Sequence, residues 1–152
     1  MAIEQDIQQK KFKTEKQKLI VNLMYTYHDT VSKIGDLFKA KEITRQQYNV
    51  LRILRGQHPN PVSINDLKTR MLDKMSDASR ITDRLLSKGL VERKRCKTDR
   101  RAVDIKITEA GLNMLKELDP LVSDFEAKTV NLNDDEARQL NSLLDKLRKN
   151  GS

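Results

Sequence analysis

Through most of this chain apolar residues recur every three or four positions, the spacing that gathers them on one face of an α-helix. Leu19, Ile20, Leu23, Met24, Tyr27, Val31, Ile34 and Phe38 form the first stripe, in a helical segment predicted to run from about Ile3 to Ala40. Its first half, "QQKKFKTEKQK", is mostly polar and prone to fray. Such a helix is far longer than the usual ~11–12 residues. It must lean on more than its own small lobe, as a partner subunit would allow.

The next pattern opens at Thr44 and Gln47, which have capping-box spacing. Tyr48, Leu51 and Leu54 carry its stripe, Val50 and Ile53 widen it, Gly56 is the expected stop, and Pro59 and Pro61 forbid continuation. Val62 is left as a short extended link. Ser63 then caps a short helix with Ile64, Leu67 and Met71 inward. After a turn at Asp73–Met75, Ser76 is the expected cap of a second helix, with Ala78, Ile81 and Leu85 on one face and Leu86 beside it. At about 100° per residue, Ser76, Arg80, Asp83 and Ser87 lie opposite, flanked by Ser79 and Arg84.

Past Gly89 the period changes to two. Val103, Ile105 and Ile107 alternate with polar residues, predicting a hairpin: strand Val91–Arg95, loop Cys96–Arg101, strand Ala102–Ile107. Helical spacing then returns. Thr108 caps a helix with Leu112, Leu115, Leu118 and Val122 inward, which Pro120 should kink or split. Asn133 caps the last helix, with Glu136 reaching back and a narrow seam of Leu140, Leu143, Leu144 and Leu147.

Charge sharpens this picture. The net charge is +8, but residues 62–108 hold 13 basic against 7 acidic side chains, while residues 109–152 hold 6 against 9. A basic middle beside an acidic tail marks a local surface for a polyanion. No apolar run approaches the roughly 18 residues of a membrane span, and the N-terminus lacks the apolar core of a signal peptide. With one cysteine and 2 histidines, neither an internal disulfide nor a Cys/His metal site is expected. This fits a reducing, cytoplasmic setting. No phosphate loop, nucleophile elbow or histidine dyad suggests an enzyme, and no cofactor is implied.

Short helix, turn, capped helix and hairpin together make a helix-turn-helix followed by a wing. The major groove, about 12 Å wide, accepts one α-helix. The second helix of the pair enters it while the first braces it. A flanking hairpin reaches the adjacent minor groove, where arginines suit narrow A·T-rich tracts. Double-stranded DNA is therefore the expected partner. The alternative is a winged helix that binds protein, which would usually lack both the cationic wing tip and the polar outer face, or one that binds RNA by shape and phosphate contacts.

The stretch "SDASRITDRLLSKGLVERKRCKTDRRAVDIKITEAG" resembles the core of the MarR family of winged-helix transcriptional regulators. The likeness lies in Leu-Ser-Lys-Gly-Leu-Val at the helix end, Asp99-Arg100-Arg101 at the wing and Ile-Thr-Glu-Ala-Gly at the next helix. The order of the flanking helices agrees, so the likeness spans nearly the whole chain. It implies a mainly α fold with a small β-hairpin wing: a winged helix-turn-helix at 41–108, flanked by dimerisation helices at 1–40 and 109–152. It further implies a homodimer, read here as a repressor, on a pseudo-palindromic operator, with release by a small aromatic or phenolic effector or, as in some members, by an oxidant.

The DNA-contact candidates are Ser76, Ser79, Arg80, Asp83, Arg84, Lys97, Thr98, Asp99, Arg100 and Arg101. Arg80 either pairs with a guanine or touches phosphate. Asp83 would orient Arg80 or Arg84, and either Arg100 or Arg101 would enter the minor groove. The dimer-interface candidates are Leu19, Leu23, Leu140, Leu143, Leu144 and Leu147. Tyr25, Tyr27, His28, Phe38 and Tyr48 either line an effector pocket or are plain core. Cys96 lies beside cations that favour a thiolate, but a lone thiol there is first read as an inert surface one.

Overall fold

The computed structural model describes residues 2–95, 98–99 and 102–149. In chain order the elements are α1 (Ile3–Asp6), α2 (Glu15–Lys39), α3 (Arg45–Gln57), β1 (Val62–Ser63), α4 (Ile64–Arg70), α5 (Ala78–Ser87), β2 (Val91–Arg95), β3 (Val103–Ile107), α6 (Glu109–Thr129) and α7 (Asp134–Lys149). They fall into two compact units, residues 1–119 and 120–152.

The helix expected from about residue 3 to 40 is broken, although its whole apolar stripe, Leu19 to Phe38, falls within α2. Residues 7–14 separate α1 from α2, and the Thr14 side chain caps α2 by accepting from the Gln17 N–H at 3.1 Å. The polar stretch before Thr14 has too little apolar surface to bury as helix. Lys18 pairs with Glu4 at 2.5 Å and ties the two pieces together.

In the first unit α3 is the centre of the core. Val50, Leu51 and Leu54 are buried on it, and it packs against α2, α4, α5 and β3. Its capping box forms as the spacing predicted: Thr44 Oγ1 accepts from the Gln47 N–H, and the Gln47 side chain accepts from the Thr44 N–H, both at 3.1 Å. Gly56 does not stop the helix, which runs to Gln57; the halt falls at His58, ahead of Pro59. Phe38 and Tyr48 stack at 4.3 Å between ring centroids and join α2 to α3.

The sheet has the order β1-β3-β2, antiparallel throughout, with Val62 opposite Ile105 and Val91 opposite Ile107. Val91, Ile105 and Ile107 are buried and anchor the hairpin. Val103 does not join them: it pairs with Arg95 at the outer end, beyond the core's reach, and is exposed. Pro120 does not split α6, which runs from Glu109 to Thr129 with the proline inside it. In the second unit, Asn133 Oδ1 accepts from the Asp135 and Glu136 N–H groups at 3.0 Å, and Glu136 accepts from the Asn133 N–H at 2.9 Å. That is the predicted cap of α7, a helix with no buried residue.

Candidate nucleic-acid interface

Ser63 starts α4 by accepting from the Asp66 N–H at 3.0 Å. The turn that follows is held by Asp73, whose carbonyl accepts from the Ser76 N–H at 3.3 Å and whose carboxylate accepts from the Met75 N–H at 3.0 Å. The cap of α5 is Asp77, not Ser76: Asp77 Oδ1 accepts from the Arg80 N–H at 3.1 Å. Both residue types cap well, but the carboxylate adds a favourable interaction with the positive helix end. Ser76 stands one position outside, half-buried.

The two faces of α5 are sharply different. Ala78, Thr82 and Leu85 are buried. Thr82 can be inward because its hydroxyl is satisfied within the helix, 2.9 Å from the Ala78 carbonyl and 2.8 Å from that of Ser79. Ser79, Arg80, Asp83, Arg84 and Ser87 are all exposed. The helix ends at Ser87 with Lys88 as its C-cap, and Gly89 follows with a φ of 70°, the left-handed conformation that glycine adopts without strain. The Leu90 N–H returns to the Leu85 carbonyl at 3.0 Å.

Asp83 does not orient Arg80 or Arg84. It forms an ion pair with Arg93 on β2. Strand alternation explains the partner: Val91 and Arg93 share a strand face, the first buried and the second directed to α5, against which β2 packs. Glu92 and Lys94 occupy the other face, 3.6 Å apart. The sequence signalled Arg93 only as part of a basic run, because no helical or strand period links a helix residue to a strand ten positions later.

Thr98 and Asp99 are exposed in the wing loop, and the Asp99 carbonyl accepts from the Ala102 N–H at 3.1 Å. Cys96, Lys97, Arg100 and Arg101 lie outside the described residues. The effector-pocket candidates do not converge. Phe38 and Tyr48 are buried against each other, whereas Tyr25, Tyr27 and His28 are exposed on α2. An open cleft of about 520 Å³ is instead lined by Lys39, Arg45, Arg84 and Lys88, among others. Among the described residues no group of three or more His, Cys, Asp or Glu has the arrangement of a metal site, and no helix is long and apolar enough to cross a membrane.

A helix-turn-helix followed by an antiparallel hairpin defines the class: a winged-helix protein with a polar, cation-bearing second helix. Comparison with known proteins fixes the family. The MarR family model matches residues 43–103. Over 76 residues, 50% of this chain, the sequence is 37% identical to the HTH-type transcriptional regulator YpoP of Bacillus subtilis. A MarR transcription factor from Planctomyces limnophilus superposes with a TM-score of 0.69 at 32% identity, covering 89% of this chain and 98% of that one. A MarR variant from E. coli, crystallised with operator DNA, gives 0.76 at 28% identity, covering 88% and 95%. The chain belongs to the MarR family of winged-helix, DNA-binding transcriptional regulators. It spans about half the length of the curated relatives it matches.

Proposed function

We propose that this chain is a sequence-specific transcriptional regulator that binds duplex DNA as a homodimer, with α5 in the major groove and the β2–β3 wing at the minor groove. The observation that carries this reading is the outer face of α5. Ser79, Arg80, Arg84 and Ser87 stand exposed on a capped helix that is itself anchored by its buried face. The E. coli MarR structure with operator DNA supports the docking mode by similarity.

Repression is the proposed action, in line with the MprA repressor of Escherichia coli, 29% identical over 84 residues. The dimer is proposed to form through the apolar faces of α2 and α7. Leu19 is 49% exposed and Leu143 55%, an unusual cost for leucines left in water. Release of DNA by a small anionic effector is proposed at the cleft of Lys39, Arg45, Arg84 and Lys88, whose four cations outnumber its one acid, Glu42, and favour a carboxylate or phenolate. Added aromatic carboxylates should then raise Tm and lower DNA affinity.

The direct test titrates the protein against duplex DNA and duplex RNA at three salt concentrations, and sequences the fragments retained from a random duplex pool. Enrichment of a two-fold symmetric site, with half-sites about one helical turn apart, is expected. Affinity should fall steeply with salt, by roughly 10³–10⁵ between 50 and 200 mM for about 6–10 phosphate contacts. Equal binding to RNA, or no binding to either duplex, would favour the protein- or RNA-interaction module.

A further inference from the structure

The turn between α4 and α5 presents two large apolar side chains almost entirely to solvent. Leu72 is 85% exposed and Met75 94%, the highest values among the exposed large hydrophobic residues. The segment is nevertheless well tied. The Leu72 N–H donates to Asn49 Oδ1 on α3 at 3.0 Å, and Asp73 accepts from the N–H groups of both Met75 and Ser76. Lys74 Nζ donates to the Thr69 carbonyl. Met71, directly before, is buried. The chain therefore spends several hydrogen bonds on holding a turn whose side chains face water.

Resting on the DNA-binding reading above, we propose that Leu72 and Met75 form an apolar edge of the DNA interface, with Met75 contacting thymine methyl groups in the major groove. Position is the first argument. Met75 lies three residues before Ala78, the first residue of α5, and the start of the second helix is the part that approaches base edges in this docking mode. Chemistry is the second. The thymine C5 methyl is the one apolar feature the major groove displays. A flexible, polarisable thioether is suited to it. Charge is the third: Arg70, Lys74 and Arg80 flank the turn in sequence, and the carboxylates of Asp73 and Asp77 between them are taken up by backbone N–H groups, which leaves the stretch slightly cationic toward a polyanion. Size argues against a protein partner: two side chains fall far short of the roughly 800 Å² per partner that a stable protein interface buries. Pre-ordering of the turn lowers the entropic cost of the contact.

The test uses duplexes enriched from a random pool by the wild-type protein. They are titrated with wild type, Met75→Ala, Met75→Leu and Leu72→Ala/Met75→Ala. Each thymine is replaced in turn by uracil, which lacks only the methyl group. At one thymine per half-site, uracil should weaken wild-type binding about fourfold, the worth of one buried methyl group. Met75→Ala should show a similar loss on thymine and no further loss on uracil at that position, while Met75→Leu keeps most of the affinity. Circular dichroism should show unchanged helix content, since both side chains are exposed. Unchanged affinity of the double variant overturns the proposal, as does an equal loss on thymine and uracil duplexes. If wild type enriches no duplex at all, the DNA-binding reading itself falls, and this contact with it.

Discussion

At the scale of single residues, Asp83 poses the sharpest question. A carboxylate on the helix face proposed to meet DNA would repel phosphate, so its presence needs a return. Its pairing with Arg93 supplies one: it joins the exposed face of α5 to β2 and holds Arg93 in a fixed place. As an exposed pair it contributes little to stability, at most about 1 kcal/mol. Its effect should appear instead in how tightly the protein distinguishes sequences. Asp83→Asn removes one negative charge per subunit and releases Arg93 to bind any phosphate. Affinity for random DNA should rise, and the ratio of cognate to random affinity should fall. Competition titrations at fixed salt check this, with Tm as the control for folding. A ratio that does not move would reduce the pair to a surface contact. The charges of Asp83 and Arg93 were plain from the sequence, but their pairing was not. It depends on how a strand is placed beside a helix, and neither period encodes that.

At the scale of elements, the local rules carried a long way and failed where two of them competed. The capping box at Thr44 and Gln47, the caps at Ser63 and Asn133, and the hairpin that follows Gly89 were all legible as spacing. The start of α5 was not, because Ser76 and Asp77 are adjacent and both are good caps. The start of α2 was misjudged because the apolar stripe was extended backward over a polar stretch that Thr14 closes. Pro120 was overweighted as a breaker. One close approach could not have been read from sequence. A Cβ on Gly111 would lie 2.3 Å from the Leu90 carbonyl and 2.6 Å from Ile107 Cγ1. Thr108 bonds at the same corner, donating to the Gly89 carbonyl at 2.7 Å and accepting from the Gly111 N–H at 3.2 Å. The first turn of α6 thus rests directly on the chain leaving α5. Gly111→Ala, normally favourable in a helix, should here cost about 1–3 kcal/mol by overpacking against backbone that cannot yield. Chemical denaturation would measure it, and a variant as stable as wild type would show that this corner has slack.

At the scale of the molecule, two kinds of contact answer to different conditions. Within the first unit α6 is tied back by charge. Arg55 donates to Asp119 through two hydrogen bonds, at 2.8 and 3.0 Å, and Lys41 pairs with Glu117 at 2.7 Å. The hydrogen bonds from Arg55 hold the Asp119 carboxyl below its ordinary value, outweighing partial desolvation. A depressed carboxylate contributes stability above its unfolded pKa, about 3.9, and loses that contribution as pH falls through the lower folded value. Asp119→Asn should therefore lower Tm modestly at pH 7, and the difference from wild type should begin to shrink only below about pH 4 and vanish once the pH has passed the lower folded value. A difference that persists in acid would point to lost packing rather than lost charge. In the second unit the ion pairs among the described residues, Lys128–Asp124, Arg138–Asp135 and Arg148–Asp145, each lie within a single helix, while α7 buries nothing and Leu140, Leu143 and Leu147 are exposed along it. A helix of this length in water is marginal alone, since most helical stability in proteins comes from packing an apolar face. On the proposed dimer, burial of each such leucine is worth roughly 1.5–3 kcal/mol. Leu143→Glu with Leu147→Glu places two charges per subunit where that burial should occur. Sedimentation should show monomer or loss of soluble protein. DNA affinity should fall for sites with two half-sites and change little for a single half-site, because only the former needs both subunits. A folded double variant that still sediments as a dimer would place the interface on another surface.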